Sequence, residues 1–319
     1  MALVWLLLLC CAPATALGEA GKASGETLWI PLVKDLTTGE QDFTMPLSDG
    51  THLQLGDPAT AKWAKRMIPR VNQLSQIDLR AWLTVVAYYR IGEAKGPLMK
   101  AAERLIKKPR EIGDLHHQVF WSLAITADER STKKLKRLLD SPIKPGGVIT
   151  SGGNRDLGYR PIFAASLIKL DHEDGRDYFI ASYKQDLLDR KARRFTGHIT
   201  GATVETFYDS KLIEQVEALA EDPQLQEKRL QRNIQSRVEL MRINGKPIEE
   251  LRSMILDTEK PGEAYIQAVR ALAERGVLED IARLENSAKQ PGLNHRLVEE
   301  IDHAVVVIRC RLWEELAKK

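Results

Sequence analysis

Residues 81–108 read AWLTVVAYYRIGEAKGPLMKAAERLIKK, and residues 117–141 read HQVFWSLAITADERSTKKLKRLLDS. Both stretches predict the same unit, in which an apolar helix, a short break and an amphipathic helix follow one another. A helical hairpin that returns at a helix-sized spacing indicates a repeat architecture. The apolar positions Ile91 and Leu105 recur 34 residues further along the chain as Ile125 and Leu139.

Helical periodicity continues from Asp57 to the end of the chain. Asp57 is a suitable N-cap with Pro58 at the first helical position, and Gly92 is expected to end the second helix as a left-handed C-terminal residue. A Gly-rich break interrupts the pattern at 142–158, and 195–209 fits neither helix nor strand. Helices are predicted over residues 59–71, 77–91, 97–107, 116–127, 131–140, 161–170, 176–188, 211–220, 222–243, 248–257, 263–275, 278–288 and 294–317.

The segment before Asp57 has a different pattern. Residues 28–56 contain short extended runs, and Ser48-Asp49-Gly50 between two of them predicts a turn. We expect this segment to lie over the first helices. The predicted fold class is all-α, a right-handed α-solenoid of stacked antiparallel helix hairpins preceded by a short extended segment.

The N-terminus predicts export. Residues 3–12 are ten apolar residues without a charge, and small residues follow them. A run this short is typical of a signal peptide rather than a membrane span. We therefore predict a signal peptide over 1–18, a linker and extended segment over 19–56 and the solenoid over 57–319, in a secreted or periplasmic protein. Cys10 at the end of Leu7-Leu8-Leu9-Cys10 leaves open a lipid-anchored envelope protein.

Charge and cysteine content exclude some classes of function. The formal net charge of +3 is too small to indicate binding to nucleic acid or to a membrane surface. Removal of the leader leaves Cys310 as the one cysteine, so the mature chain has no internal disulfide. Cys310 follows Val305-Val306-Val307-Ile308-Arg309, which predicts a buried thiol on a helix. Trp82, Trp121 and the Tyr88-Tyr89 pair are also predicted to be core residues, because they lie within the repeating apolar pattern.

The chain resembles the HEAT-repeat superfamily, in particular the HEAT-like repeats of phycobilisome lyases. Residues 87–94, 121–128 and 268–276 carry the resemblance: AYYRIGEA, WSLAITAD and AVRALAERG. It covers roughly 57–319 and implies protein binding on a curved surface, and only rarely an enzyme. No functional residue is carried over, because the matching positions belong to the core.

Histidines are the first residues to consider as a site. His295, Glu299 and His303 share one helix face, but the outer two lie two turns apart, so one metal ion cannot join all three. We expect a solvated face and no metal, with His303 pointing away from the core. His116-His117 is expected at a helix start. His172-Glu173 is the one His-Glu dipeptide, where HEAT-repeat iron hydroxylases need several, and no cofactor is predicted.

Two loop regions are candidate contacts for a partner. Long insertions between repeats tend to border binding surfaces, which favours Asn154, Arg155 and Tyr159. The run 190–194 places four cations in five residues, so Arg190, Lys191, Arg193 and Arg194 are candidates to contact an acidic partner or an anionic lipid. The alternative is a solvated helix end, where cations favour the helix dipole.

No catalytic signature is present, so the sequence favours a non-catalytic scaffold that binds a protein partner outside the cytoplasm. Two alternatives stay open. One is a HEAT protein, lyase-like or chaperone-like, that holds a small ligand in the groove of the solenoid. The other is an envelope structural protein anchored through Cys10, which is the one route by which the sequence predicts membrane contact.

Overall fold

The computed structural model describes residues 27–31, 43–107, 115–141, 159–192, 204–256, 262–291 and 293–318. Within these ranges the protein is all-α, with four very short strands. The α-helices are α1 Pro58–Met67, α2 Gln76–Tyr88, α3 Lys95–Lys107, α4 His116–Thr126, α5 Thr132–Asp140, α6 Tyr159–Lys169, α7 Glu173–Lys191, α8 Ser210–Ala218, α9 Lys228–Asn244, α10 Ile248–Met254, α11 Glu263–Arg275, α12 Glu279–Ala288, α13 His295–Arg311 and α14 Trp313–Leu316. No helix in this part of the chain is long and apolar enough to cross a membrane.

Two kinds of helix make up the molecule. Every described residue of α4 after its first two is buried, and α6 is buried on nearly every side. By contrast α3, α5 and α12 bury one stripe each, for example Leu135, Leu138 and Leu139 of α5. Helices that bury one stripe therefore cover helices that are buried over more of their surface: α3 packs on α4, α5 on α6, α10 on α11 and α12 on α13.

The apolar helices pack against one another in succession. α2 contacts α4, α4 contacts α6, α9 contacts α11, and α11 contacts α13. Buried serines link neighbours: Ser122 Oγ donates to Leu83 O at 2.9 Å, and Ser166 Oγ donates to Ala124 O at 3.0 Å. These small side chains let the helices approach closely, and their own buried hydroxyls are paired.

The described segments before α1 lie in two places. Strands β2 (Thr44–Pro46) and β3 (His52–Gln54) form a hairpin beside α2, as expected for this segment. Strand β1 (Leu28–Trp29) instead pairs antiparallel with β4 (Phe207–Tyr208), far along the chain. The β1–β4 ribbon fills the space between α6 and α9. The N-terminal strand is thus part of the core and is not laid over the first helices.

The first and last helices of the chain also meet. α13 packs against α2, and α14 packs against α1. Arg90, after α2, donates from Nη2 to Glu274 Oε1 of α11 at 2.6 Å. The last helices of the chain therefore contact the first ones.

Local predictions hold at several helix boundaries. The Asp57 side chain accepts from Ala59 N with Pro58 at the helix start, and the 48–50 turn joins β2 to β3. Several predicted helices are divided, among them 59–71, where α1 is followed by a 3₁₀ helix at Ile68–Gln73. The stretch 222–243 contains a 3₁₀ turn at Pro223–Leu225 before α9, and 294–317 breaks at Leu312 between α13 and α14.

The expectation for Gly92 is wrong. Arg90 takes the left-handed conformation (φ 54°), and Ile91 N donates to Val86 O at 3.1 Å, which is the Schellman end of α2. Gly92 begins the next 3₁₀ turn. The left-handed arginine is retained because its side chain reaches Glu274.

Candidate functional site

The three predicted loop contacts differ in where they lie. Asn154 and Arg155 fall outside the described residues. Tyr159 is 1% exposed, packs on Phe120 and Phe163, and donates its hydroxyl to Ser141 O at 3.2 Å. Its ring is therefore part of the core and offers no surface to a partner.

One side chain of the basic run can be placed. Lys191 is exposed at the end of α7, and its Nζ donates to Gln224 O at 2.7 Å and lies 3.7 Å from Glu227 Oε1. Arg190 lies in the last turn of α7, but its side chain is outside the description, as are Arg193 and Arg194 entirely. The charge of Lys191 is thus partly used within the chain.

The histidine face of α13 is divided between solvent and a helix junction. His295 is exposed, with Nδ1 3.3 Å from Glu299 Oε1. His303 does not point away from the core. Its Nε2 lies 3.0 Å from the Tyr88 hydroxyl, and its ring stands edge-on to Tyr88. Among the described residues no three His, Cys, Asp or Glu side chains come together as a metal site.

The other histidine pairs lie at helix starts. His116 begins α4, and His117 stands edge-on to Trp121 with its centroid 6.3 Å away. Burial lowers the pKa of His117 to about 4, so the ring is neutral at physiological pH. His172 precedes α7 and accepts from Asp174 N at 3.4 Å through Nδ1.

A cluster of charges lies where several apolar helices end. We call Arg90, Lys169, Glu274 and Arg311 the carboxyl-end cluster. Lys169 Nζ donates to Ile125 O at 2.7 Å and to Ala127 O at 3.3 Å, and Arg311 donates to Ala273 O and Gly276 O. Burial, with Arg90 nearby, lowers the pKa of Lys169 to about 8.

The cations of the carboxyl-end cluster have a structural role at the ends of helices. The carbonyl ends of helices carry partial negative charge, and Lys169 and Arg311 satisfy the free carbonyls of a neighbouring helix. The third cation, Arg90, is paired with Glu274. The cluster therefore compensates the partial negative charge of the helix ends.

Cys310 is unsuited to nucleophilic chemistry. It is fully buried, and burial raises its thiol pKa to about 12. A thiolate is the reactive species, so this thiol is inert at physiological pH. Its burial confirms the prediction of a small apolar residue on a helix.

A stack of aromatic rings lies at the β1–β4 ribbon. Trp29 stacks between Trp121, with ring centroids 5.5 Å apart, and Phe207 at 6.2 Å. Both indole Nε1 atoms and Gln118 Oε1 are buried and find no partner among the described residues. Unpaired polar groups of this kind are costly in a core, so they are open to a bound water or a small polar molecule.

The described surface contains an open cleft of about 570 Å³ between α7 and α8, which we call the α7–α8 cleft. An adjoining cleft of about 440 Å³ extends past Asp140 and Tyr178 and shares Asp177 with it. The α7–α8 cleft is lined by Asp177, Ile180, Ala181, Gln215, Ala218, Leu219, Glu221 and Asp222.

The α7–α8 cleft combines an apolar floor with acidic edges. Ile180 and Leu219 contribute the larger apolar side chains. The Asp222 carboxylate is already paired within the chain, because it accepts hydrogen bonds from Lys184 Nζ at 2.5 Å and from Gln224 N at 2.9 Å. Asp177 and Glu221 are exposed and have no cationic partner within the described structure. Such a surface can hold a cationic group with an apolar stem.

Sequence reasoning missed this cleft. Three of its residues lie on α7 and the others on α8 or just after it, with strand β4 between the two helices in the chain. Each carboxylate alone is an ordinary surface residue. One signal was present: Asp177 and Ala181 lie four residues apart on α7, beside Ile180, which gives an acidic and apolar strip on one helix face.

Comparison of the chain with models of protein families, with curated proteins and with solved structures finds no match.

Proposed function

We propose that the protein is a non-catalytic scaffold that binds a protein partner outside the cytoplasm through the surface along α7. In this proposal its hairpins form a right-handed HEAT-like solenoid, and the surface extends from the α7–α8 cleft to the basic run 190–194. The HEAT-like resemblance of the sequence supports the solenoid part, because that superfamily mostly binds proteins.

The single observation that carries the proposal is the α7–α8 cleft. It is open, it has an apolar floor, and it retains two carboxylates, Asp177 and Glu221, that are not paired within the described residues. Accessible apolar surface edged by polar groups is the usual composition of a protein-binding site. Of the candidate nucleophiles and bases considered above, Cys310 and Lys169 are engaged within the protein.

A crosslinking capture tests the proposal. The mature protein would be incubated with its own extracytoplasmic fraction, crosslinked, and the retained proteins identified by mass spectrometry. We expect a partner crosslinked near α7 that is lost when Ala218→Arg fills the cleft. Ala59→Arg, on an exposed position of α1, is the matched control and should retain the partner. A partner crosslinked elsewhere, equally well by both variants, would contradict the proposal.

The basic run is tested in the same experiment. If an acidic partner is held by Arg190, Lys191, Arg193 and Arg194, replacing all four with Ser should release it, and release should also follow from added salt. Retention of the partner by this variant would limit the binding surface to the cleft.

Export is a separate part of the proposal and needs its own measurement. The apolar run 3–12 followed by small residues supports it. Intact-mass analysis of the protein purified from its natural source should show a chain that begins near residue 19. A diacylated chain beginning at Cys10 would instead support the lipid-anchored alternative, and an intact Met1 would contradict export.

A second candidate function is binding of a small polar ligand. The observation that favours it is the set of unpaired atoms at Trp29, Trp121 and Gln118. Native mass spectrometry of the purified protein tests this candidate, since a bound molecule would add a fixed mass that disappears on denaturation. A native mass equal to that of the bare chain would count against it.

A further inference from the structure

The charge of the α7–α8 cleft is unbalanced. Three carboxylates line it, no lysine or arginine is among its lining residues, and Asp222 is already held by Lys184 at 2.5 Å. Arg160 lines the adjoining cleft but forms no ion pair with Asp177 among the described contacts. Asp177, in the second turn of α7, and Glu221, just after α8, therefore keep their negative charge available. Two uncompensated charges at an open cleft attract a cation from solution and disfavour an acidic ligand.

The floor of the cleft selects among cations. Ile180 and Leu219 present apolar side chains, and the alanines 181 and 218 leave room above them. A long aliphatic stem can cover such a surface while its charged end reaches the carboxylates, which is how lysine and arginine side chains bury themselves. A bare metal ion would gain nothing from this floor, and no three-ligand group is present among the described residues.

The amide oxygen of Gln215 in the cleft sets a further criterion for the molecule that binds there. Gln215 donates from Nε2 to Glu173 Oε1 at 3.2 Å, so the orientation of its amide is fixed. Its Oε1 is buried and has no donor within the described residues. An occupant with several N–H groups, such as a guanidinium, can satisfy this oxygen and a carboxylate together.

We propose that the α7–α8 cleft binds a basic side chain, arginine in preference to lysine, carried on an apolar segment of a protein partner. This inference rests on the proposed function and specifies its partner. The stem lies on Ile180 and Leu219, and the charged group reaches Asp177 and Glu221. Gln215 accepts one of its hydrogens.

Selection from a random displayed-peptide library against the mature full-length protein tests the inference. The selected peptides would then be synthesised, and their affinities measured by fluorescence anisotropy against four proteins. These are the unaltered protein, the isosteric double variant Asp177→Asn/Glu221→Gln, the cleft-filling variant Ala218→Arg, and the control Glu214→Gln. Glu214 is an exposed carboxylate of α8 outside the cleft.

We expect the selected peptides to share an arginine or lysine next to apolar residues. Loss of both carboxylates should weaken their binding about 3- to 30-fold, as for two exposed ion pairs. Replacing the arginine of a selected peptide by citrulline, which keeps the shape and removes the charge, should weaken binding by a similar factor. The Glu214→Gln protein should bind as the unaltered one does.

The failure of this inference can be told apart from failure of the proposed function. Selected peptides that lack a basic residue, or that bind Asp177→Asn/Glu221→Gln as well as the unaltered protein, would overturn the inference. If those peptides still lost affinity to Ala218→Arg, the proposed binding surface would stand. If every selected peptide bound Ala218→Arg undiminished, or none were selected, the cleft would not be a binding surface and both would fall.

Discussion

Two residues other than glycine adopt the left-handed conformation just after a helix, one after α2 and one after α6. The side chain of each forms an ion pair. Arg90 (φ 54°) pairs with Glu274, and Asp171 (φ 54°) pairs with Arg176. Such a backbone costs roughly 1 to 2 kcal/mol in a residue with a side chain. A glycine would avoid this cost but would lose the ion pair. This is why the sequence rule that assigns helix ends to glycine fails at residue 92.

The buried guanidinium of Arg176 should dominate the acid stability of the protein. It is 1% exposed and holds Asp209 through two bonds, Nε to Oδ1 at 2.9 Å and Nη2 to Oδ2 at 2.7 Å. Although burial opposes it, hydrogen bonding to Arg176, Thr27 and Leu212 N lowers the pKa of Asp209. A lowered pKa stabilises the fold above the unfolded value, near 4, and this contribution is lost as pH falls through the folded value.

Arg176→Met should therefore lower the free energy of unfolding by about 3 to 5 kcal/mol at neutral pH, because a buried carboxylate is left unpaired. The deficit should shrink near pH 4, where Asp209 of the variant takes up a proton. Urea unfolding at both pH values measures this. Arg237→Met, which breaks a more exposed pair with Glu205, is the control and should cost less than about 1 kcal/mol at either pH. A deficit independent of pH would contradict the assignment.

Two helical glycines should respond in opposite directions to alanine. A Cβ on Gly175 would lie 2.6 Å from Ala164 O, where α7 approaches α6, whereas a Cβ on Gly96 would meet nothing within 4 Å. We expect Gly175→Ala to lower the free energy of unfolding by about 1 to 3 kcal/mol through overpacking. Gly96→Ala should raise it by about 0.5 to 1 kcal/mol. Thermal and urea unfolding of both variants test this, and equal effects would refute it.

At the scale of elements, helices with strong local patterns could be predicted and pairings between distant elements could not. The sequence pattern predicts both ends of α11 correctly. It also identifies the core residues Trp82, Tyr88, Tyr89 and Trp121, which are all 2% exposed or less. α4 and α6 lack an amphipathic pattern because they are buried on nearly all sides, yet their apolar content is enough to predict them as helices. Strand β1 has two residues, and nothing in the sequence points to its partner at 207–208.

The junction of α2 with α11 should be energetically coupled through Arg90 and Glu274. Their side chains are 23% and 10% exposed, so solvent screens the 2.6 Å contact only in part. A double-mutant cycle with Arg90→Gln and Glu274→Gln should give a coupling energy of about 1 to 3 kcal/mol. The exposed pair Lys65–Glu93 at 2.7 Å, treated the same way, should give less than about 1 kcal/mol. Equal couplings would mean that the junction contributes no more than a surface contact.

At the scale of the whole molecule, local sequence cannot reveal that the two ends of the helical succession meet. A solenoid repeat needs only its neighbours, and the hairpin pattern specifies no more than that. The contact between α13 and α2 joins residues far apart in the chain, such as Tyr88 and His303, which lie 215 positions apart. The candidate cleft escaped prediction for a related reason, because strand β4, which lies between its two helices in the chain, pairs with the distant strand β1.

Because the ends meet, the protein should not tolerate loss of its last helices. Removing residues 293–319 deletes α13 and α14 and exposes the faces of α2, α11 and α12 that they cover. We expect the truncated chain to lose cooperative unfolding, as followed by near-ultraviolet circular dichroism in urea. Removing 317–319 alone should leave the transition unchanged. A truncated chain that unfolds cooperatively with a modest loss of stability would instead indicate independent, linearly stacked repeats.

The pairing of β1 with β4 also sets the order of events during synthesis. Thr27 donates to Asp209 Oδ2, 182 residues further along, so the N-terminal strand has no partner until that residue has left the ribosome. At ordinary elongation rates this takes roughly ten to forty seconds. Throughout that interval Trp29 lacks its place between Trp121 and Phe207. The core between α4, β1 and β4 can therefore be completed only after more than half of the chain has been synthesised.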